Sequence, residues 1–174
     1  MNNLVGKLTS IGRSGYYWSF LIVLGLSMEG TALYFQYVLG DGPCVLCIQV
    51  RIWVLAIILL AIFGLGLRSL RWPSAAAHLL MTGLFLGLLD RSWLLFGTER
   101  GIVFSDCGFN LGLPSWLALE DWFPAMFMIH EACGYTPELL FGITMAEALL
   151  AMSSMLVLMG ATLTLTAFVD KSPR

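Results

Sequence analysis

The sequence predicts an all-α membrane protein: a four-transmembrane-helix antiparallel bundle with a short interfacial helix in its second outer loop. Three observations predict it. Hydrophobic residues make up 59% of the chain and charged residues only 11%, with a mean hydropathy of +0.86, whereas a soluble domain carries about 25% charge. Four apolar stretches each reach the roughly 20 residues a helix needs to cross a bilayer. They are too long and too unalternating for barrel strands, and only helices or closed barrels satisfy the backbone in lipid. With 174 residues, loops this small leave no room for a second unit, so residues 1–174 read as a single transmembrane domain. No nucleic-acid signature is visible.

The elements follow in order. Residues 1–15 are polar and basic. The first span is expected over about 16–39, with Tyr16, Tyr17 and Trp18 as an interfacial belt at its start. No small-residue cleavage site ends it, which predicts an uncleaved span rather than a signal peptide. A short connection over about 40–46 contains the turn Gly40-Asp41-Gly42-Pro43. The second span is expected over about 47–67, followed by a tight basic turn from Arg68 to Pro73. The third is expected over about 74–96. A long loop over about 97–137 precedes a fourth span over about 138–168. Short connections between successive helices favour an antiparallel bundle. Within the long loop, Leu113, Trp116, Leu117, Glu120, Trp122 and Phe123 follow a Pro-Ser start. They suggest a short helix lying flat, either with its aromatic face in the headgroups or packed on the bundle.

Lysine and arginine set the orientation. One side carries Lys7, Arg13, Arg68, Arg71, Lys171 and Arg174 against Asp170 alone. The other carries Arg100 against Asp41, Glu99, Asp106, Glu120, Asp121, Glu131 and Glu138. Both termini are therefore expected on the cytoplasmic side. Cys44, Cys47, Cys107 and Cys133 all fall on the opposite side or at its membrane edge.

The stretch Pro43-Cys-Val-Leu-Cys-Ile-Gln-Val-Arg51 is the chemical centre of the chain. Cys44 and Cys47 lie where the second span begins. A helix start presents free N–H groups and the positive end of the peptide dipole, which favour a thiolate. Cys-x-x-Cys spacing also lowers a thiol pKa. Arg51 is one helical turn deeper on roughly the same face, where a fixed cation would stabilise a thiolate or a reduced, anionic acceptor. A snorkelling anchor is the structural alternative for Arg51. Four cysteines permit three pairings. The local choice joins Cys44 to Cys47 and leaves Cys107 with Cys133. An oxidising compartment would sustain such bonds. Zinc is disfavoured, because Cys107 and Cys133 are far apart in sequence whereas a four-cysteine site usually offers two close pairs. Structural stapling by both disulfides is the stronger rival to redox chemistry.

Other ionisable residues lie within the expected spans, where they default to functional hypotheses. Asp90 and Arg91 are placed near an outer end, to snorkel or pair. Glu29 and Glu147 are placed deeper, with structural pairing favoured over a proton route. His78 reads as an interface residue and His130 as a solvated loop histidine.

The chain resembles the disulfide bond formation protein B (DsbB) family of bacterial inner membranes. The resemblance covers nearly the whole chain. It rests on Met28-Glu-Gly-Thr-Ala-Leu-Tyr-Phe-Gln36, Pro43-Cys-Val-Leu-Cys-Ile48 and Arg51. It continues through Cys107, Leu113-Pro-Ser-Trp-Leu117, Asp121-Trp-Phe-Pro124, Cys133 and Phe141-Gly-Ile-Thr-Met145. It implies a multi-pass inner-membrane protein with periplasmic cysteines that reoxidises a periplasmic DsbA-like thiol oxidase. The electrons would pass to ubiquinone or menaquinone. By position, Cys107 would take the mixed disulfide with the reduced partner. Cys133 would leave and be met by Cys44, and Cys47, then a thiolate, would contact the quinone ring. Arg51 matches the family's quinone-site arginine.

The chain also departs from the pattern. Val50 stands where the best-known members have a glutamate. The end of the third span, Leu94 to Glu99, lacks their histidine, with Glu99 or Arg100 as candidate substitutes. The Cys107 loop is shorter at its start. Two rivals share most features: a DsbI-like paralogue dedicated to one oxidase, and a non-catalytic scaffold with structural disulfides.

Overall fold

The computed structural model describes residues 2–103, 111–113, 118–140 and 142–169. Four helices within it are long and apolar enough to cross a membrane, and the chain is a multi-pass membrane protein. A short helix α1 (Asn2–Gly12) precedes the first of them, α2 (Gly15–Tyr34), which runs on through a wider π-helical turn over Phe35–Leu39. Then come α3 (Val45–Leu67) and α4 (Arg71–Glu99). Two single-turn helices, α5 (Leu119–Trp122) and α6 (Pro124–Phe127), lie in the long loop. A hairpin of β1 (Glu138–Leu140) and β2 (Ile143–Thr144) leads into α7 (Met145–Val169). Successive long helices pack on one another, α2 on α3, α3 on α4 and α4 on α7, while α1 lies against α7.

Two apolar clusters form inside the bundle. One joins Trp18 and Leu21 of α2, Val54, Ile57 and Ala61 of α3, Met81 and Phe85 of α4, and Leu163 of α7. Small residues let these helices approach closely, as is common between membrane helices. A methyl group at Gly64 would overlap the Trp18 ring, and one at Gly160 would lie 2.8 Å from Phe85 Cδ2. The second cluster gathers Cys44, Val45, Ile48, Leu95, Leu111, Phe127 and Ala146 at the cysteine end.

Several elements differ from the sequence expectation. The N-terminus is helical, because Leu4, Leu8 and Ile11 recur at helical spacing within the polar segment. The fourth long helix begins at Met145 and not near 138, since Glu138–Leu140 and Ile143–Thr144 pair as an antiparallel hairpin, with Gly142 at φ +76° beside it. The helix start is fixed by a capping box. Thr144 N–H donates to Glu147 Oε2 and Glu147 N–H to Thr144 Oγ1, both at 3.3 Å. Glu147 therefore sits at the first turn rather than deep in the span, and it pairs with Arg100. The single loop helix becomes two turns because Pro124 forces Phe123 out of the helical region, to φ −135° and ψ 65°. Trp122 and Phe123 are both exposed; Pro114, Ser115, Trp116 and Leu117 lie outside the described residues, as does Cys107.

Candidate functional site

Cys44 caps the N-terminus of α3 in extended conformation, and its sulfur accepts a hydrogen bond from Cys47 N–H at 3.3 Å. Pro43 suits this start, since it carries no N–H to leave unpaired. Cys44 is buried and Cys47 partly so, and both are free thiols with their sulfurs 2.6 Å apart. The Cys44 thiol is held below the ordinary range, first by its hydrogen bond with the Cys47 thiol. Burial opposes the shift, and the N–H groups of Cys47 and Leu46 at the helix start reinforce it. Cys133 is disulfide-bonded and packs against the apolar cluster that holds Cys44. Three of the four predicted cysteines thus share one end of the bundle.

The long loop is pinned over this helix start by hydrogen bonds to its backbone. His130 N–H donates to Pro43 O at 3.0 Å. Gln49 Nε2 donates to Leu111 O at 3.2 Å. Arg51 Nη1 donates to Met126 O at 3.1 Å. Each bond joins a residue of the Cys44–Arg51 neighbourhood to a flank of the cysteine-bearing loop.

Arg51 is not a snorkelling anchor: it is buried, at 6% exposure. Its remaining bonds run to α2 and its π turn, Nη1 to Gln36 Oε1 at 2.6 Å and Nη2 to Ala32 O at 3.1 Å. Gln36 and Tyr37 in turn both donate to Ala125 O. All the recorded acceptors of Arg51 are neutral, so its positive charge is held in place without being cancelled.

Arg51 and Cys47 line a cavity of about 350 Å³ between α2, α3 and α7. Leu24, Met28, Val54, Leu95 and Met152 supply much of its apolar wall. Tyr135 and Pro137, from the segment leading into the hairpin, and Leu139 of β1 also line it. A largely apolar cleft with a few convergent polar groups is what a flat, hydrophobic small molecule requires. The residues present therefore fit a flat, largely apolar ring such as a quinone: Arg51 would face its polar groups, and Cys47 lines the same space. Val50, at the position where a glutamate was expected from the resemblance, is buried and contributes to the apolar wall.

Glu99 and Arg100 do not line the cavity. Glu99 Oε2 accepts from Thr136 at 2.7 Å and Thr144 at 3.1 Å, tying α4 to the hairpin. Asp90 and Arg91 pair with each other at 3.3 Å. His130 is exposed, with Nδ1 2.9 Å from Met128 O. His78 is buried at 3% exposure against the Tyr17 and Trp18 rings. Glu29 is buried and unpaired, since neither carboxylate oxygen has a hydrogen-bond partner among the described residues. Sequence reasoning missed Tyr37, Tyr135, Pro137 and Leu139. No spacing rule would have found the last three, which reach the cavity only because the segment before α7 folds back over it.

Comparison with known proteins carries the same reading across most of the chain. The family model described as Disulfide bond formation protein DsbB matches residues 14–163. Disulfide bond formation protein B of Shewanella loihica is 33% identical over 152 residues, covering 82% of this chain and 84% of that protein. The protein of the same name from Shewanella amazonensis is 32% identical, covering 87% of this chain and 90% of its own length. Disulfide bond formation protein B 2 of Pseudomonas aeruginosa is 32% identical, with 78% and 82% covered. The matched span takes in the cysteine-bearing helix start, the buried arginine and the long loop together, and on this evidence the chain belongs to the DsbB family of disulfide bond formation proteins.

Proposed function

We propose that this protein reoxidises a DsbA-like thiol oxidase outside the bacterial inner membrane and passes the electron pair to ubiquinone or menaquinone in the bilayer. The observation that carries this reading is the Cys44–Cys47 pair at a helix start, with Cys47 and buried Arg51 lining one apolar cavity. The lysine and arginine asymmetry supports an orientation with both termini in the cytoplasm and the cysteine end outside.

The exchange runs between sulfurs. A thiolate of the reduced partner attacks Cys107 of a Cys107–Cys133 disulfide, and Cys133 leaves as a thiolate. Cys133 then attacks Cys44 of an oxidised Cys44–Cys47 pair, and Cys47 leaves carrying the electron pair. The partner's second thiol displaces Cys107, completing the partner's disulfide. Cys107 attacks Cys133 and expels Cys44. A low thiol pKa makes Cys44 a good leaving group at that step, consistent with its position at the helix start.

A bound quinone supplies a two-electron sink, after which Cys44 and Cys47 are again a disulfide. Arg51 holds a fixed positive charge where negative charge develops, an arrangement that needs no reorganisation during transfer. Leu24, Met28 and Val54, which line the same cavity as Cys47, would exclude water from a bound ring. The test is a mixed-disulfide trap. A DsbA-like partner lacking its resolving cysteine should accumulate as an adduct linked to Cys107. Absence of any adduct would point to a scaffold with inert disulfides.

A further inference from the structure

Glu29 is a buried ionisable group that the sulfur chemistry leaves unused. It lies on α2, at helical spacing from Ala32 and Gln36, the two α2-side acceptors of Arg51. Its residue exposure is 5%, and both carboxylate oxygens lack a partner among the described residues. It lines the same cavity as Cys47 and Arg51. An ion pair with Arg51 would be the ordinary way to keep a carboxylate in such a place. Instead the guanidinium is taken up by Gln36, Ala32 O and Met126 O. A buried carboxylate without a hydrogen bond is strongly disfavoured, and the group relieves that cost by binding a proton.

We propose that Glu29 is held as the protonated acid and donates its proton to an acceptor oxygen in the cavity as the electron pair arrives from Cys44 and Cys47. This deepens the quinone reading and rests on it. The balance is simple. The Cys44–Cys47 S–S bond forms and releases two electrons. The O–H bond of Glu29 breaks and an O–H bond forms at the acceptor. A second proton enters from water at the cysteine end, where Asp41 also lines the cavity. A further proton by that route returns Glu29 to its acid form. The two protons taken up match the two released by the partner's thiols, so Glu29 is unchanged over the cycle. Its place near the arginine is then purposeful. Arg51 stabilises charge developing on the acceptor, and Glu29 removes it by protonation.

The test compares wild type, Glu29→Gln and Glu29→Asp as full-length purified proteins. In quinone-free wild type, infrared spectroscopy should show the C=O stretch of a protonated carboxylic acid at neutral pH, absent from Glu29→Gln. With ubiquinone added, Glu29→Gln should reduce it on the order of 100-fold more slowly, the lower end of what a positioned general acid contributes. Its single exchange with a reduced DsbA-like partner should be unchanged, and Glu29→Asp should recover part of the rate. Loss of the exchange step along with quinone reduction, with no recovery in Glu29→Asp, would assign Glu29 a structural role and overturn the proposal. So would wild-type quinone reduction by Glu29→Gln, or the absence of the acid band. Failure of the wild type itself to reduce quinone would instead refute the reading on which the proposal stands.

Discussion

The two ends of the bundle are built on opposite terms. Towards the end that carries the termini, helices touch through glycines and large rings: Gly64 against Trp18 and Gly160 against Phe85. Towards the cysteine end the bundle leaves an open volume that helix faces and connecting segments line together. Polar groups differ in the same way. Thr82 and Thr164 hydroxyls lie 2.9 Å apart and both donate to His78 O, local bonds that fasten α4 to α7. Around the cavity, Arg51 reaches across to α2 and to the loop, and Glu29 has no hydrogen-bond partner among the described residues. Dense packing supplies stability that the second region forgoes, as sites held ready for a ligand commonly do.

The contrast can be broken most sharply by filling the cavity. Ala148→Trp places an indole among the lining residues and should nearly abolish quinone reduction. Folding and the first exchange with a reduced partner should survive. Retention of wild-type quinone turnover would show that the cavity is not the electron exit.

Arg51→Ala should come next. Each bond from a charged donor is worth about 1.5–3 kcal/mol, so the efficiency of quinone reduction should fall by roughly 10- to 100-fold. Unfolding in detergent should reveal how much of the loss is structural. A variant with unaltered apparent quinone affinity and turnover would reduce Arg51 to a tie between α2 and the long loop.

Gly64→Ala tests the other end. Forcing a methyl group against Trp18 should lower stability by about 1–3 kcal/mol, read as a lower unfolding midpoint. Turnover per folded molecule should hold. A change in quinone reduction without a change in stability would erase the division between the two ends.

The smallest effect concerns acidity. Cys44 is an acid whose pKa is lowered in the fold, so its thiolate population rises at lower pH than that of an ordinary thiol, near 8.5. Alkylation of Cys44 in Cys47→Ser should move back toward the ordinary range, because the largest contribution comes from Cys47. An unshifted profile in that variant would transfer the effect to the helix start alone.

The long helices and the helix-start cysteines were legible because they rest on local signals: an unbroken apolar run and a Cys-x-x-Cys at its boundary. Arg51 was legible as one turn below Cys47, but its burial was not, since that depends on acceptors from α2 and the loop. The hairpin before α7 was hidden by hydrophobicity, which reads Leu139, Leu140 and Phe141 as the continuation of a span. Thr144-Met-Ala-Glu147 did carry the true start, as a capping box. Glu29 was visible as an ionisable residue in a span, while its lack of a partner depends on how Arg51 is engaged.

The most direct measurement is quinone-dependent oxidation of a purified, reduced DsbA-like partner by the wild type and by each of Cys44→Ser, Cys47→Ser, Cys107→Ser and Cys133→Ser. The account predicts sustained oxidation by the wild type only. Cys47→Ser should still undergo one round of exchange through Cys107 and Cys133 while passing nothing to quinone. Steady-state turnover in Cys47→Ser would contradict it.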